Sequence, residues 1–363
     1  MITALNSIRH STTFRAAILV PAAIALIFSL FNLTAPPDSQ RIAQAVHIGV
    51  VNLDSGKKFP PVNAGRRITQ RFADQMPFAI DEFESEIAAR DALDAQKIAA
   101  FLVLDETFTA DVFGEDPVAI RVVSAGNLTR AESQIAGQLP TMLQTGIAAA
   151  VTSLRLALAR GQLPTGELPV ELSVETINEI RNPAAGMAPF VASFAMWLAA
   201  MVGALLLFVA TSQLPGRFDR AMIRSAIPIV TTGLSSLVLA IILATTSGLD
   251  AGFMAFWLTS WIISLALGWL FCGAFSLLGL VALIFALPVV FYQASVGGTQ
   301  MPLAAAPGWL QSIGDVIPFD HLGAVLRSLI IGGQSDPLWG LVAITGGLGL
   351  LLIWLTPVIR RPG

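Results

Sequence analysis

Hydrophobic and polar residues are distributed very unevenly along this chain. One apolar stretch occupies residues 14–34, a mixed segment covers residues 36–186, and residues 187–358 are apolar almost throughout. Apolar stretches of about 20 residues are long enough to cross a bilayer as helices. The pattern therefore predicts a polytopic α-helical membrane protein with six spans, in which one span precedes and five follow an inserted external α/β domain.

The six spans are predicted at 14–34, 187–211, 222–246, 252–272, 273–296 and 337–358. The fourth and fifth are almost contiguous, so residues 271–274 are expected to supply the turn between them. A cleaved signal peptide is the alternative for the first span, but its apolar core is longer than the roughly 7–15 residues typical of one. A retained anchor is therefore favoured. In the sixth span, Gly346, Gly347 and Gly349 would let a neighbouring helix approach closely.

Residues 36–186 contain short apolar or alternating runs that indicate strands and longer periodic runs that indicate helices. Strands are predicted at 46–52, 78–83, 98–104, 117–123 and 170–177, and helices at 64–75, 85–96 and 128–160. The last helix is either continuous or broken at Pro140, and a Gly/Pro-containing linker follows at 161–169. Strands that alternate with helices predict a small α/β domain with a partly parallel sheet.

Composition supports a membrane protein. The 363 residues are 55% hydrophobic and only 12% charged, with a mean hydropathy of +0.72, whereas soluble domains carry about 25% charged residues. The net charge of −3 shows no basic footprint for nucleic acid. The single cysteine, Cys272, excludes a disulfide within the chain and a cysteine-based zinc site.

Lys and Arg residues near the spans indicate the orientation, because short cytoplasmic loops are enriched in them. The segment 297–336 contains only Arg327, and the loop 247–251 contains neither residue type. The remaining span ends are flanked by Arg9, Arg15, Arg217, Arg220, Arg224, Arg360 and Arg361. Both termini are therefore predicted in the cytoplasm and residues 36–186 outside it.

Few residues suggest catalysis. His47 precedes Asp54 and Ser55 closely, but no nucleophile elbow accompanies them, and Asp-Ser in a turn usually satisfies backbone groups. The chain has no phosphate-binding loop of the GxxxxGK[ST] type, so nucleotide-driven transport would need a separate chain. The interiors of the spans lack Asp, Glu, Lys and Arg, which argues against a proton-driven pump.

The segment 297–336 contains two apolar stretches, 303–313 and 319–331, that are too short to span a bilayer. Pro318 precedes the second stretch and disfavours helical geometry at the residue before it. These features predict a re-entrant helical hairpin at the outer face, which is allowed at membrane depth only where it is buried in protein or faces a cavity. Arg327 is expected to anchor the hairpin to headgroups or to a carbonyl.

Four stretches resemble parts of the permease subunits of type-2 ABC exporters, in particular the phage-infection-protein-like branch. They are residues 48–56, 89–108, 182–205 and 297–333. The first resembles the opening external strand and turn of that family, and the second resembles its next helix and strand. The third is similar to the entry to the second span, and the fourth to the external re-entrant segment. The resemblance covers nearly the whole chain.

The resemblance implies a permease subunit of an exporter in the bacterial cytoplasmic membrane, which moves a hydrophobic or amphipathic substrate outward without a cofactor of its own. It implies a homodimer that works with two separate cytoplasmic ATPase subunits, in contact with membrane lipid and optionally with a periplasmic adaptor. Residues 1–13 would form a cytoplasmic interfacial helix. The loop 212–221, with Arg217 and Arg220, would contact the ATPase, and positive-inside anchoring is the alternative role of these arginines.

A hairpin at the outer mouth would close a path between two protomers. Candidates for this outer gate are Pro302, Pro307, Pro318 and Arg327. Candidates for the translocation path are Thr231, Ser235 and Gln293. Hydrogen bonding between helices is the alternative role for the path residues. The competing function is a membrane scaffold or surface receptor without transport, because the name of the phage-infection branch implies a surface role.

Overall fold

The structure, a computed structural model, describes residues 39–56, 63–114, 117–158, 170–180, 183–295, 301–314, 320–335 and 339–359. The predicted interfacial helix 1–13, the predicted first span 14–34, the linker 161–169 and Pro318 lie outside these residues. The described residues form a sheet domain (39–180) and a helical bundle (183–359).

The sheet domain contains a five-stranded sheet with the order β2-β1-β3-β4-β5. Its strands are β1 His47–Asn52, β2 Ala79–Phe83, β3 Ala100–Leu104, β4 Val118–Ala125 and β5 Val170–Ile177. Its helices are α1 Ser39–Ala45, α2 Ala64–Gln75, α3 Glu86–Asp94, α4 Phe108–Val112 and α5 Arg130–Leu158. All strand pairs are parallel except β3 with β4, which is antiparallel. The predicted partly parallel sheet is confirmed, and α5 continues through Pro140.

The central strands are apolar because helices cover them. All five residues of β3 and four consecutive residues of β1 are buried, as expected for strands of a parallel sheet that are covered on both faces. Gly49 in β1 is required by packing, since a Cβ there would lie 2.8 Å from the Cβ of Phe101. Asn63 and Ser85 begin α2 and α3 as side-chain N-caps.

The described part of the helical bundle consists of α-helices and two short 3₁₀ turns, Gly279–Ala282 and Leu303–Ala305. The α-helices are α6 Pro183–Thr211, α7 Arg217–Thr246, α8 Phe253–Leu278, α9 Leu283–Ser295, α10 Gly308–Gly314, α11 Asp320–Ile330 and α12 Trp339–Ile359. Among the described residues, four helical stretches are long and apolar enough to cross a membrane: Ala185–Thr211, Arg217–Thr246, Phe253–Gln293 and Trp339–Ile359. Large apolar side chains such as Leu206, Val230 and Ile344 are exposed on their outer faces, which suits a lipid environment.

The predicted turn at residues 271–274 is wrong. These residues lie inside α8, and the chain turns at Gly279–Ala282, where Gly279 has φ +65°. Phe208 of α6 lies beside Gly279, whereas Ser193 of α6 accepts a hydrogen bond from Gln293. The chain therefore returns along α6, and the third apolar stretch is a hairpin of α8 and the shorter α9. The predicted spans 252–272 and 273–296 therefore correspond to α8 Phe253–Leu278 and α9 Leu283–Ser295.

Gly273 was mistaken for a turn residue because its role is in packing. A Cβ at Gly273 would lie 2.7 Å from the carbonyl oxygen of Gly349 on α12, and a Cβ at Gly349 would collide with the backbone of Trp269 and Leu270 on α8. Gly346 also lies against α8, near Trp269. The expected close approach is confirmed for Gly346 and Gly349 but not for Gly347, which has nothing within 4 Å.

The described part of the segment 297–336 differs in detail from the predicted hairpin. The stretch 303–313 is not one helix: Leu303–Ala305 is a 3₁₀ turn, and α10 begins only after Pro307. The second stretch is helical as α11. Arg327 is buried and donates to the side-chain carbonyl of Gln96 in the sheet domain, because α11 packs between the bundle and that domain. A carbonyl was one of the two expected partners.

Candidate functional site

Polar groups collect at two opposite ends of the bundle. Helix α6 begins next to the sheet domain, directly after β5, and ends at Thr211, where the loop to α7 lies at the far end. The near end holds the contacts between α11 and the sheet domain, named the junction below. The far end holds a cavity lined by arginines, named the arginine recess.

The arginine recess is a cavity of about 280 Å³ between the ends of α6, α7, α8 and α12. Arg217, Arg220 and Arg224 line it from α7, at spacings of three and four residues that place them on one helix face. Ser276 of α8 and Thr356 of α12 line the other walls. Among the described residues, no Asp or Glu lines this cavity. The lining of the recess is therefore positively charged.

Arg224 forms the fixed floor of the recess. It is only 6% exposed, and it donates to the hydroxyls of Thr211 (2.8 Å) and Ser276 (2.9 Å). It also donates to the carbonyl of Phe208 (3.3 Å) and lies 4.7 Å above the ring of that residue, a cation–π geometry. Three helices thus hold one guanidinium group in a single position.

At the junction, Arg327 of α11 donates to the side-chain carbonyl of Gln96 in the turn between α3 and β3, over 3.0 and 2.8 Å. Asn127 donates to the carbonyl of Gly332 (2.9 Å). The amide of Gln334 donates to the carbonyl of Asp94 (3.1 Å). These bonds join residues more than 200 positions apart and fix α11 to the sheet domain.

Burial and charge act in opposite directions on Arg327. Removal from water lowers the pKa of its guanidinium to about 10, and the nearby Glu132 acts to raise it. The side chain therefore remains charged at neutral pH. A cavity of about 250 Å³ lies beside it, between the start of α5 and the start of α6.

The predicted gate residues that the structure describes lie in different places and do not contact a common partner. Arg327 lies at the junction, Pro302 precedes the 3₁₀ turn, and Pro307 precedes α10, while Pro318 lies outside the described residues. The α10 region packs against Tyr292 of α9, whose hydroxyl donates to the carbonyl of Leu310 (3.2 Å).

The predicted path residues are also divided. Thr231 and Ser235 line a small cavity of about 50 Å³ between α6, α7 and α8, and both hydroxyls donate to carbonyls of their own helix. Gln293 does not line that cavity and donates to Ser193 of α6 (3.1 Å). The bond of Gln293 joins two helices, as the alternative of hydrogen bonding between helices predicts, whereas the bonds of Thr231 and Ser235 stay within α7.

The hydrogen bonds in the turn after β1 indicate a structural role for Asp54. The Asp54 carboxylate is buried and accepts from the amides of Gly56, Gly65 and Thr109 and from the Thr109 hydroxyl. His47 instead contacts Asp81 over 2.8 Å. His47, Asp54 and Ser55 thus do not form a triad. Among the described residues, no cluster of His, Cys, Asp or Glu suits a metal ion.

Sequence reasoning counted Arg224 as a flanking charge and missed its burial. The signal was present, since Arg217, Arg220 and Arg224 follow helical spacing toward an apolar run. Nothing in the sequence indicated the junction bonds of Gln96 and Asn127. An amide side chain in a turn is ordinarily solvated, and the fold decides which distant group it meets.

A family model described as "ABC-2 family transporter protein" matches residues 13–357. Curated proteins and solved structures gave no match.

Proposed function

Because the chain belongs to the ABC-2 family of transporter proteins, and is thus the membrane component of an ABC transporter, we propose that it forms an exporter for a hydrophobic or amphipathic substrate. Membership of this family implies pairing with an ATPase subunit. We further propose a homodimer in the bacterial cytoplasmic membrane, with both termini and the arginine recess in the cytoplasm and the sheet domain outside.

This proposal rests on the difference between the two ends of the helical bundle. The sheet domain is bonded to one end of the bundle through Arg327 and Asn127, and three arginines collect at the other end. Positive charge marks the cytoplasmic side of short loops. This arrangement favours a cytoplasmic ATPase at the recess end and an external sheet domain that controls release of the substrate.

The ATPase contact is proposed at the loop 212–221. Arg217 and Arg220 face the recess and are half-buried, whereas Gln213 and Phe218 in the same segment are exposed. An approaching subunit would meet these two side chains first and the arginines behind them. We propose the homodimer from the resemblance of the chain to the permease subunits of type-2 ABC exporters.

The outer gate and the path remain proposals built on this dimer. The segment 297–336 would close the outer mouth, with α11 coupled to the sheet domain through Arg327. Thr231, Ser235 and Gln293 would border the route of the substrate.

We also place the chain in the phage-infection-protein-like branch, on the resemblance of residues 182–205 and 297–333. A periplasmic adaptor would contact the sheet domain.

The experiment is affinity purification of the tagged chain from membranes of its own host, followed by identification of co-purifying chains and an ATPase assay. We expect a chain with a phosphate-binding loop to co-purify and the isolated permease to hydrolyse no ATP. Phe218→Glu should reduce recovery of that ATPase, while Phe218→Leu should retain it. A scaffold or receptor would co-purify without any ATPase, and that result would refute the exporter.

A further inference from the structure

The arginine recess has a chemistry that an ATPase contact does not explain. Its wall carries Arg217 and Arg220 and its floor carries Arg224. Asp219 is exposed on the first turn of α7 and does not line the cavity. Three guanidinium groups around one concave space, without a lining carboxylate among the described residues, favour a ligand with negative charge. Guanidinium groups match phosphate oxygens in two-point geometry.

Two of the hydroxyls that line the recess already donate to backbone carbonyls. The Ser212 hydroxyl donates to the carbonyl of Val209 (2.6 Å), and the Thr356 hydroxyl donates to that of Leu352 (2.8 Å). Binding of an anion therefore depends on the guanidinium groups. Arg224 is already positioned by its bonds, so little side-chain entropy is lost at the floor.

The surroundings of the recess are apolar and exposed. Met222 of α7 is 56% exposed and Val358 of α12 is 64% exposed, and each directly follows a residue that lines the cavity. A volume of about 280 Å³ holds a headgroup but not acyl chains. The site therefore suits a ligand with an anionic head and apolar chains that lie outside it.

We propose that the arginine recess binds the phosphate headgroup of an anionic phospholipid, whose acyl chains lie along the exposed apolar faces of α7 and α12. The inference rests on the proposed function only for its orientation, which puts the recess at the cytoplasmic leaflet. Lipid in this position would hold the ends of α6, α7, α8 and α12 together at the side where the ATPase docks.

The test is native mass spectrometry of the purified full chain in detergent, titrated with dioleoyl phosphatidylglycerol. We expect wild type to bind this lipid about tenfold more tightly than the zwitterionic phosphatidylcholine, since each charge-assisted bond contributes on that scale. The double substitution Arg217→Gln/Arg220→Gln should weaken binding by about tenfold or more. Arg130→Gln, which removes a guanidinium at the junction cavity, should leave it unchanged.

The half-buried arginines are chosen because Arg224→Gln would break bonds that hold the helix ends together, and size-exclusion chromatography verifies that the double variant is folded. Unchanged phosphatidylglycerol binding by the double variant would overturn the proposal and leave the arginines to the ATPase. Equal weakening by Arg130→Gln would also overturn it, since binding would then lack a defined site. Displacement of the lipid by millimolar inorganic phosphate would identify free phosphate as the ligand instead. No ATPase or transport is involved, so failure here is separate from failure of the proposed function.

Discussion

At the scale of single residues, Asp54 shows how one carboxylate can organise a turn. Four donors converge on it from three segments, and two of the amides, those of Gly65 and Thr109, are buried. Asp54→Ala would leave these amides without an acceptor, at a cost of about 3 kcal/mol, which corresponds to roughly a hundredfold loss of amide exchange protection. Hydrogen–deuterium exchange of β1 and β3 measures this. Asp74→Ala, at an exposed position of α2, should change little, and equal effects of both would contradict the interpretation.

Arg327 and Gln96 provide a second prediction at this scale. Gln96→Leu would remove an acceptor that bonds a buried guanidinium twice, and loss of a partner is destabilising for a buried charge, so exchange in α11 should increase. Gln96→Glu places a carboxylate at the same distance and should retain protection. If α11 is part of the outer gate, transport should fall in Gln96→Leu but not in Gln96→Glu. Equal transport by both variants would remove Arg327 from the gate.

At the scale of elements, the close crossing of α8 and α12 depends on glycines, which have no side chain. A methyl group at Gly349 would collide with the α8 backbone, whereas Gly347 faces open space. Gly349→Ala should therefore separate the two helices and lower the thermal midpoint of the purified protein by several degrees. Gly347→Ala provides the matched control on the same helix and should leave the midpoint unchanged or slightly higher. The same shift in both variants would show that packing at Gly349 is not the cause.

Ion pairs join several elements of the sheet domain. The bond from Arg121, and then that from Arg90, lowers the pKa of Glu86 below its ordinary value of 4.5. A lowered carboxyl pKa stabilises the folded state above 4.5, and that contribution is lost as pH falls through the folded-state value. Exchange protection of β4, corrected for the intrinsic rate, should therefore decrease below about pH 4.5. Glu86→Gln should flatten this dependence, and an unaltered pH profile in the variant would count against it.

At the scale of the whole molecule, the prediction concerns which end faces the cytoplasm. Glu84 is exposed on the sheet domain and Gln213 is exposed at the recess end, so each can carry a single cysteine after Cys272→Ala. A membrane-impermeant maleimide applied to intact cells should label Glu84→Cys and not Gln213→Cys. Permeabilised cells should label both, which serves as the control. The reverse pattern in intact cells would invert the proposed orientation and with it the ATPase side.

The sequence by itself determined most of the elements. Helix α2 at 64–75 and strand β5 at 170–177 have the predicted boundaries, and α6, α7 and α12 begin and end within five residues of the predicted spans. These features depend on hydrophobic period, caps and span length, which are properties of neighbouring residues. The family could also be identified from local stretches, because their order along the chain is itself a sequence property.

Only the tertiary structure decided which residues meet. Gly273 and Gly279 look alike in sequence, but Gly273 packs against α12 and Gly279 makes the turn. Arg327 reaches Gln96 across 231 positions, and Arg224 is buried where three helices converge. Contacts of this kind are fixed by how helices and sheet pack together, since a buried charge must be placed where the fold brings acceptors to it. For the two glycines and for the pair of Arg327 and Gln96, no local pattern contains that information.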